Sequence, residues 1–382
     1  MISLCCSVCH ATYAGDDTRW RCDCGGLLDL VAQPSFDLEA IAQRKPTMWR
    51  YREAIPLPPA APIISFDEGF TPLLPIRFGG VDPSRDSGID LSRGSGIEVW
   101  IKQDHLFPTG SYKDRGASVL ISQVAALGIE RVVEDSSGNA GCAVAAYCAR
   151  AGVDCAIYVP ESTSPAKTAQ ISGYGARLEL VPGNREATSR AVWEAAQHTF
   201  YASHVWNPYF LHGTKTFAYE VCEQLGWRAP DTVVLPVGNG TLLLGAAIGF
   251  GELRDAGVTQ TIPKIVGVQA SRCAPLHAAL ERGALEIASG PWAPTIAEGI
   301  AIGAPARARQ ILEAIVESKG WIETVEDIEV QRAQDAMARQ GYYIEPTAAA
   351  APAALERLAP RLAGETIVSV FTGHGLKAGG KH

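Results

Sequence analysis

Residues 131–160 read RVVEDSSGNAGCAVAAYCARAGVDCAIYVP. RVVED is a short β-branched run, and the SSG that follows is turn chemistry. NAGCAVAAYCARAG carries small and apolar residues at helical spacing and ends at Gly152. CAIYVP is a second apolar run. Strand, Ser/Gly turn, helix and strand in succession make a β-α-β unit. Strands that are apolar throughout belong in a parallel sheet covered by helices on both faces. The pattern recurs from Val99 onward: TVVLPV at 232–237, a GNGT turn, LLLGAAIGFGELRDAG at 242–257, KIVGVQA at 264–270 and IVSVFT at 367–372. The expected class is α/β. In such sheets ligands sit at the carboxyl ends of the strands, so chemistry is sought in the turns that follow them.

The chain has 382 residues, 47% apolar and 19% charged, with a formal net charge of −8. That length admits two or three domains. The acidic balance argues against a nucleic-acid partner, which needs a basic face. No apolar run reaches the ~18 to 20 residues of a membrane helix, and no basic-then-apolar leader is present. A cytoplasmic protein with no membrane partner is expected. Cys142, Cys148, Cys155 and Cys222 lie in apolar-periodic runs and read as buried thiols in a reducing compartment.

Residues 1–30 stand apart as a cysteine-rich module. Cys6 and Cys9 form a C-x2-C pair, and Cys22 and Cys24 a C-x-C pair, separated by the turn signal AGDD. Four thiolates suit a tetrahedral, structural Zn2+. A reduced, metal-free cluster is the alternative. Residues 31–62 read as a connector ending in PLPPAAP, and residues 82–96 as a flexible surface loop. Residues 63–382 form the expected catalytic core, with a smaller lobe at about 115–217.

Four turns carry chemistry. In PTGSYKDRG (108–116) Lys113 opens a helix, with Ser111 and Asp114 as the expected capping box. A helix N-terminus favours a neutral amine, which is a nucleophile suited to a Schiff base; a solvated surface lysine is the bland alternative. In DSSGNAG (135–141) the backbone N–H groups and the hydroxyls of Ser136 and Ser137 suit a carboxylate or phosphate. Asn139 can offer its amide to a phenolate-like oxygen. In PVGNGT (236–241) Gly238 and Gly240 suggest a phosphate cradle, though no Walker A lysine follows. In FTGHGLK (371–377) the Thr372 hydroxyl can face a ligand ring. A carbonyl to capture, a phosphate, an adjacent oxygen and a ring nitrogen together describe pyridoxal 5'-phosphate (PLP).

PTGSYKDRG, SSGNAG, PVGNG, EPTAAAA and TGHGLK, with FDEGFTPLL at 66–74 and the cysteine-rich start, resemble the threonine synthase branch of the fold-type II PLP enzymes, in the tryptophan synthase β superfamily. The resemblance runs in order over nearly the whole chain. It implies two lobes, each with a mainly parallel sheet flanked by helices, plus a zinc-ribbon-like module, and it implies a homodimer. It also implies that Lys113 attaches the cofactor and removes the substrate Cα proton. Asn139 would bond the cofactor 3'-oxygen, and Gly238, Asn239, Gly240 and Thr241 would cradle its phosphate. Thr372 would face the pyridine nitrogen, Tyr112 would pack beside the ring, and Ser136, Ser137, Gly138, Asn139 and Ala140 would bind the substrate carboxylate.

The chain departs from that branch at several positions. Where the family reads like NSxNPxRLEGQKT, this sequence has HVWNPYFLHGTKT at 204–216. Asn207, Pro208, Gly213, Lys215 and Thr216 match, but Phe210 replaces an arginine, and His204 and Val205 replace an Asn-Ser pair. Ala140 and Ala301 replace a family threonine and arginine. A buried phosphate dianion without a bidentate arginine is costly. His204 and Lys102 are the remaining cations to consider. The expectation is a PLP-dependent lyase or synthase that eliminates or replaces a group at the β or γ carbon of an amino acid other than O-phosphohomoserine. Threonine synthase itself, a threonine/serine dehydratase-like β-eliminase and a non-catalytic PLP-binding regulator are the alternatives.

Overall fold

The computed structural model describes residues 2–79, 96–163, 165–183 and 185–377; the loop expected at 82–96 falls almost wholly outside them. The strands are Ser3–Cys6 (β1), Thr12–Ala14 (β2), Leu28–Val31 (β3), Leu73–Phe78 (β4), Ile97–Lys102 (β5), Arg131–Glu134 (β6), Asp154–Pro160 (β7), Arg177–Val181 (β8), Phe200–Tyr201 (β9), Thr232–Pro236 (β10), Lys264–Ala270 (β11), Trp321–Val325 (β12) and Ile367–Val370 (β13). They fall into two compact units, one of residues 1–70 with 107–216, the other of residues 71–106 with 217–382.

The first unit holds two sheets. The cysteine-rich start folds as an antiparallel ribbon in the order β2-β1-β3. The other sheet, β8-β7-β6-β9, is parallel throughout, as the apolar runs at 131–160 require. The intervening helix, Asn139–Ala151, ends on Gly152 in the left-handed region, φ 69°, where a side chain would add strain. This helix and Lys113–Ala126 share a core with Cys6, Cys22, Leu4 and Leu28 of the ribbon. These ribbon side chains are therefore buried against a larger body, without which so small a module would lack a core. Residues 31–62 contain a helix, Leu38–Gln43, capped by Asp37, and a 3-10 turn, Met48–Ala54, that buries Met48, Trp49 and Tyr51.

The second unit is one sheet in the order β12-β11-β10-β13-β5-β4, with β4 antiparallel to β5 and every other neighbour parallel. β10 and β13 are buried at every position. The alanine-rich helix Pro346–Leu358 buries Ala348 to Ala351 in the core shared with these strands. Among the described residues no helix is long and apolar enough to cross a membrane. The cysteines expected to be buried, 142, 148, 155 and 222, all are.

Candidate functional site

Lys113 is the first residue of the helix Lys113–Ala126. The expected capping box does not form: the N-cap is Tyr112, with no side-chain cap. Asp114 reaches back to the preceding turn, where it accepts from the Thr109 N–H at 2.9 Å and from the Thr109 hydroxyl. A buried carboxylate is held better by two donors inside the PTGS turn than by one at a helix end. Ser111 contributes a longer contact, its Oγ 3.4 Å from the Lys113 N–H. Gly110, at φ 79°, makes the turn possible.

The Lys113 ammonium lies 4.8 Å from the Tyr112 ring centroid and 5.6 Å from that of Phe210. Phe210 is fully buried on the helix Pro208–Thr214, which starts at Asn207, whose side chain accepts from the Tyr209 N–H. Its ring packs against Gly116, where an added Cβ would come within 2.3 Å of it. The residue that replaces the family arginine is thus an aromatic wall beside the lysine. Val205 and Ala140 are buried as well.

The DSSGNAG turn sits at the end of β6 and opens the helix Asn139–Ala151, with Gly138 as N-cap. Gly141 is pressed against the Ser136 carbonyl, 1.8 Å from where a Cβ would stand. Two acidic residues overlooked in the sequence shape this turn. Glu134, fully buried, bonds His204 Nδ1 at 2.7 Å and accepts from the Ser136 N–H. Asp135 accepts from the Tyr201 hydroxyl at 2.7 Å. A charged residue at the end of an otherwise apolar buried strand was the available signal, because such a carboxylate must be bonded. His204 is therefore committed to Glu134.

In the second unit, Gly238, Asn239 and Gly240 follow β10, and Thr241 opens the helix Thr241–Asp255. Its N-cap, Gly240, is left-handed, φ 76°, and has no side chain to offer as a cap. A Cβ on Gly238 would meet Gly299 O and Ile300 Cα at 2.9 Å, and one on Gly240 would meet Ile311 Cδ1 at 2.3 Å. The turn is a cradle of bare backbone at a helix N-terminus, which suits a phosphate. Thr372, just after β13, buries its hydroxyl with no hydrogen-bond partner among the described residues. A neutral ring nitrogen is a fitting partner for it. Both features fit PLP. Lys102 is committed elsewhere: its ammonium lies 2.8 Å from Glu220, 2.6 Å from the Thr71 carbonyl and 2.8 Å from Gln224 Oε1. Ala301 is the C-cap of the 3-10 turn Glu298–Ile300.

The sulfurs of Cys6, Cys9, Cys22 and Cys24 lie within 4.8 Å of one another, with Cys6–Cys24 and Cys9–Cys22 each at 3.5 Å. A zinc ion with Zn–S bonds of ~2.3 Å sets tetrahedral sulfurs about 3.8 Å apart, so the cluster has the right size. The Tyr13 hydroxyl, 3.0 Å from Cys22 Sγ, is the main influence pulling that thiol down to about 6, whereas the Cys9 and Cys24 thiols of the same cluster are raised.

Residues 64–373 match the family described as pyridoxal-phosphate dependent enzyme. The chain is 35% identical to a threonine synthase of Methanocaldococcus jannaschii, over 97% of this chain and 92% of that protein. It is 34% identical to a threonine synthase of Methanosarcina acetivorans, over 99% and 92%. Among solved structures, a T.th. threonine deaminase superposes with a TM-score of 0.61 at 26% identity, covering 72% of this chain and 87% of that one. With PLP as its cofactor, the chain belongs to the pyridoxal-phosphate dependent enzymes and is a lyase of that family resembling threonine synthase.

Proposed function

We propose that the enzyme eliminates or replaces a group at the β or γ carbon of an amino acid whose leaving group is not phosphate. The observation that carries this is Phe210 beside Lys113, with His204 held by Glu134 and Lys102 by Glu220. A phosphate dianion brought against that apolar wall loses water and meets neither cation free, a cost of several kcal/mol. PLP, when bound, withdraws electrons from the substrate Cα and so makes its proton removable. Lys113 attaches the cofactor and takes that proton. Gly238, Asn239, Gly240 and Thr241 hold the phosphate, Thr372 meets the ring nitrogen without forcing its protonation, and Asn139 meets the ring oxygen. Ser136, Ser137, Gly138, Asn139 and Ala140 bind the substrate carboxylate at a helix N-terminus, through the hydroxyls and those N–H groups that the turn does not use itself, since the Ser136 N–H is held by Glu134 and the Gly138 N–H by Ser136 Oγ. The four cysteines hold one structural zinc, and the enzyme works in the cytoplasm as a homodimer.

Threonine synthase itself is the second reading, favoured by the identity to the two archaeal proteins of that name. Steady-state kinetics separate the two. Turnover of O-phosphohomoserine is expected to be weak, while keto acid or a replaced amino acid forms from serine- or threonine-like substrates. A kcat/KM for O-phosphohomoserine at or above ~10^4 M^-1 s^-1, ordinary for an enzyme acting on its own substrate, overturns the proposal.

A further inference from the structure

One side chain of the ribbon packs against the residues that hold the substrate loop. Trp20, in the turn between the two cysteine pairs, stacks on Trp193 at 5.8 Å and meets the rings of Tyr201 and Trp206 edge-on at 5.4 and 5.0 Å. Aromatic pairs in these geometries attract beyond their area of contact. Two of the three partners lead to the loop. The Tyr201 hydroxyl donates to Asp135 Oδ1 at 2.7 Å, and Ser189 Oγ stands 3.5 Å from Asp135 Oδ2. Trp206 lies two residues from His204, which bonds Glu134, which in turn accepts from the Ser136 N–H. Burial, with Asp135 beside it, holds the Tyr201 phenol well above its usual range, so it remains a donor at any working pH. A second tie between ribbon and lobe runs from the Tyr209 hydroxyl to the Gly15 carbonyl at 2.9 Å.

We propose that Trp20 and Tyr201 are positioning residues for the reaction. Trp20 fixes the Tyr201 ring, Tyr201 holds Asp135, and the ribbon thereby sets where the loop 135–141 presents its N–H groups. The proposal rests on the reading that this loop binds the substrate carboxylate. A ribbon that only adds stability would leave substrate affinity untouched in folded protein. A ribbon that positions the loop changes affinity through a hydroxyl that never touches substrate.

The experiment uses the holoenzyme with L-threonine as probe, followed by the cofactor absorbance, together with amide hydrogen exchange of residues 135–141. Tyr201→Phe removes one oxygen and keeps the ring packing. It should weaken L-threonine by about tenfold or more, the equivalent of one hydrogen bond to a charged group, speed exchange in the loop, and leave cofactor retention unchanged. Trp20→Ala should do the same, and Trp20→Phe should recover most of the loss. Ser137→Ala, which alters the loop itself, is the control. If Ser137→Ala weakens L-threonine while Tyr201→Phe changes neither affinity beyond about twofold nor exchange, the positioning role is wrong and the loop reading stands. If Ser137→Ala has no effect, or the unmodified enzyme shows no response to L-threonine, the loop reading falls and the proposal falls with it.

Discussion

The loops at 135–141 and 236–241 both leave a parallel strand and open a helix, yet they are held by different forces. The first is shaped by hydrogen bonds from side chains: Glu134 on the Ser136 N–H, Tyr201 on Asp135, and an N-cap, Gly138, in the extended region. The second is shaped by contact. Gly238 lies against backbone of the facing segment, and the left-handed Gly240 lies against the Ile311 side chain. A bonded loop can be re-aimed by one substitution at a distant partner, whereas a packed loop tolerates almost none. The packed loop therefore suits a ligand that never changes, the cofactor phosphate. The bonded one suits the part of the site that distinguishes substrates.

The largest test of this difference is Gly240→Ala. The left-handed backbone costs roughly 1–2 kcal/mol for any side chain, and the new Cβ would stand 2.3 Å from Ile311 Cδ1. Together these should weaken the cofactor about a hundredfold, read as its release on dialysis and as loss of the visible absorbance band. Cofactor affinity within about threefold of the unmodified enzyme would show that contact does not govern this loop.

These differences explain what could be read from the residues alone. RVVE, KIVGVQA and the helix ending at Gly152 were legible because an apolar run and a glycine act locally. The glycines of the packed loop were legible for the same reason. The bonded loop was not, because its partners Tyr201 and His204 lie far along the chain from Asp135 and Glu134. The role of Trp20 is not legible either, since nothing nearby in sequence says where an indole will pack. Asp114 was misread because a local capping box was preferred to a bond back to Thr109, three residues before the N-cap Tyr112. The commitment of Lys102 to Glu220 is likewise a contact between distant positions.

Zinc should act on one loop and spare the other. Elemental analysis is expected to find one zinc per chain on Cys6, Cys9, Cys22 and Cys24, since four thiolates close a structural site. Its removal frees a ribbon whose Leu4, Cys6, Cys22 and Leu28 share the core of the helix Lys113–Ala126. The melting temperature should fall and L-threonine binding weaken by about three- to tenfold. Cofactor affinity should hold within about twofold, because Gly238 and Gly240 are set by contacts far from the ribbon in sequence. Protein prepared without chelator yet free of metal, or a cofactor lost in step with zinc, is the contrary result.

The smallest catalytic change is expected of Phe210→Arg, which restores the residue type found in the threonine synthase pattern. An arginine there enters a fully buried position, with its stem against Gly116 and with His204 already bonded to Glu134. A guanidinium stabilises a phosphate through paired donors and through neighbours that complete the anion's bonds. The positions that carry such groups in the threonine synthase pattern are apolar in this chain: Val205 and Ala140 are buried and offer no hydroxyl or amide side chain. One new cation without them should raise kcat/KM for O-phosphohomoserine by less than about tenfold, a gain below ~1.4 kcal/mol. Adding Val205→Ser and Ala140→Thr to the same chain supplies two hydroxyls and should raise it further, by more than the single changes combined, because all three side chains would bind one phosphate. Kinetics of the single and triple variants, each checked for retained cofactor, decide the point. A hundredfold gain from Phe210→Arg alone would mean that the wall beside Lys113 excludes phosphate by its shape and charge at one position, rather than through a pocket rebuilt at several.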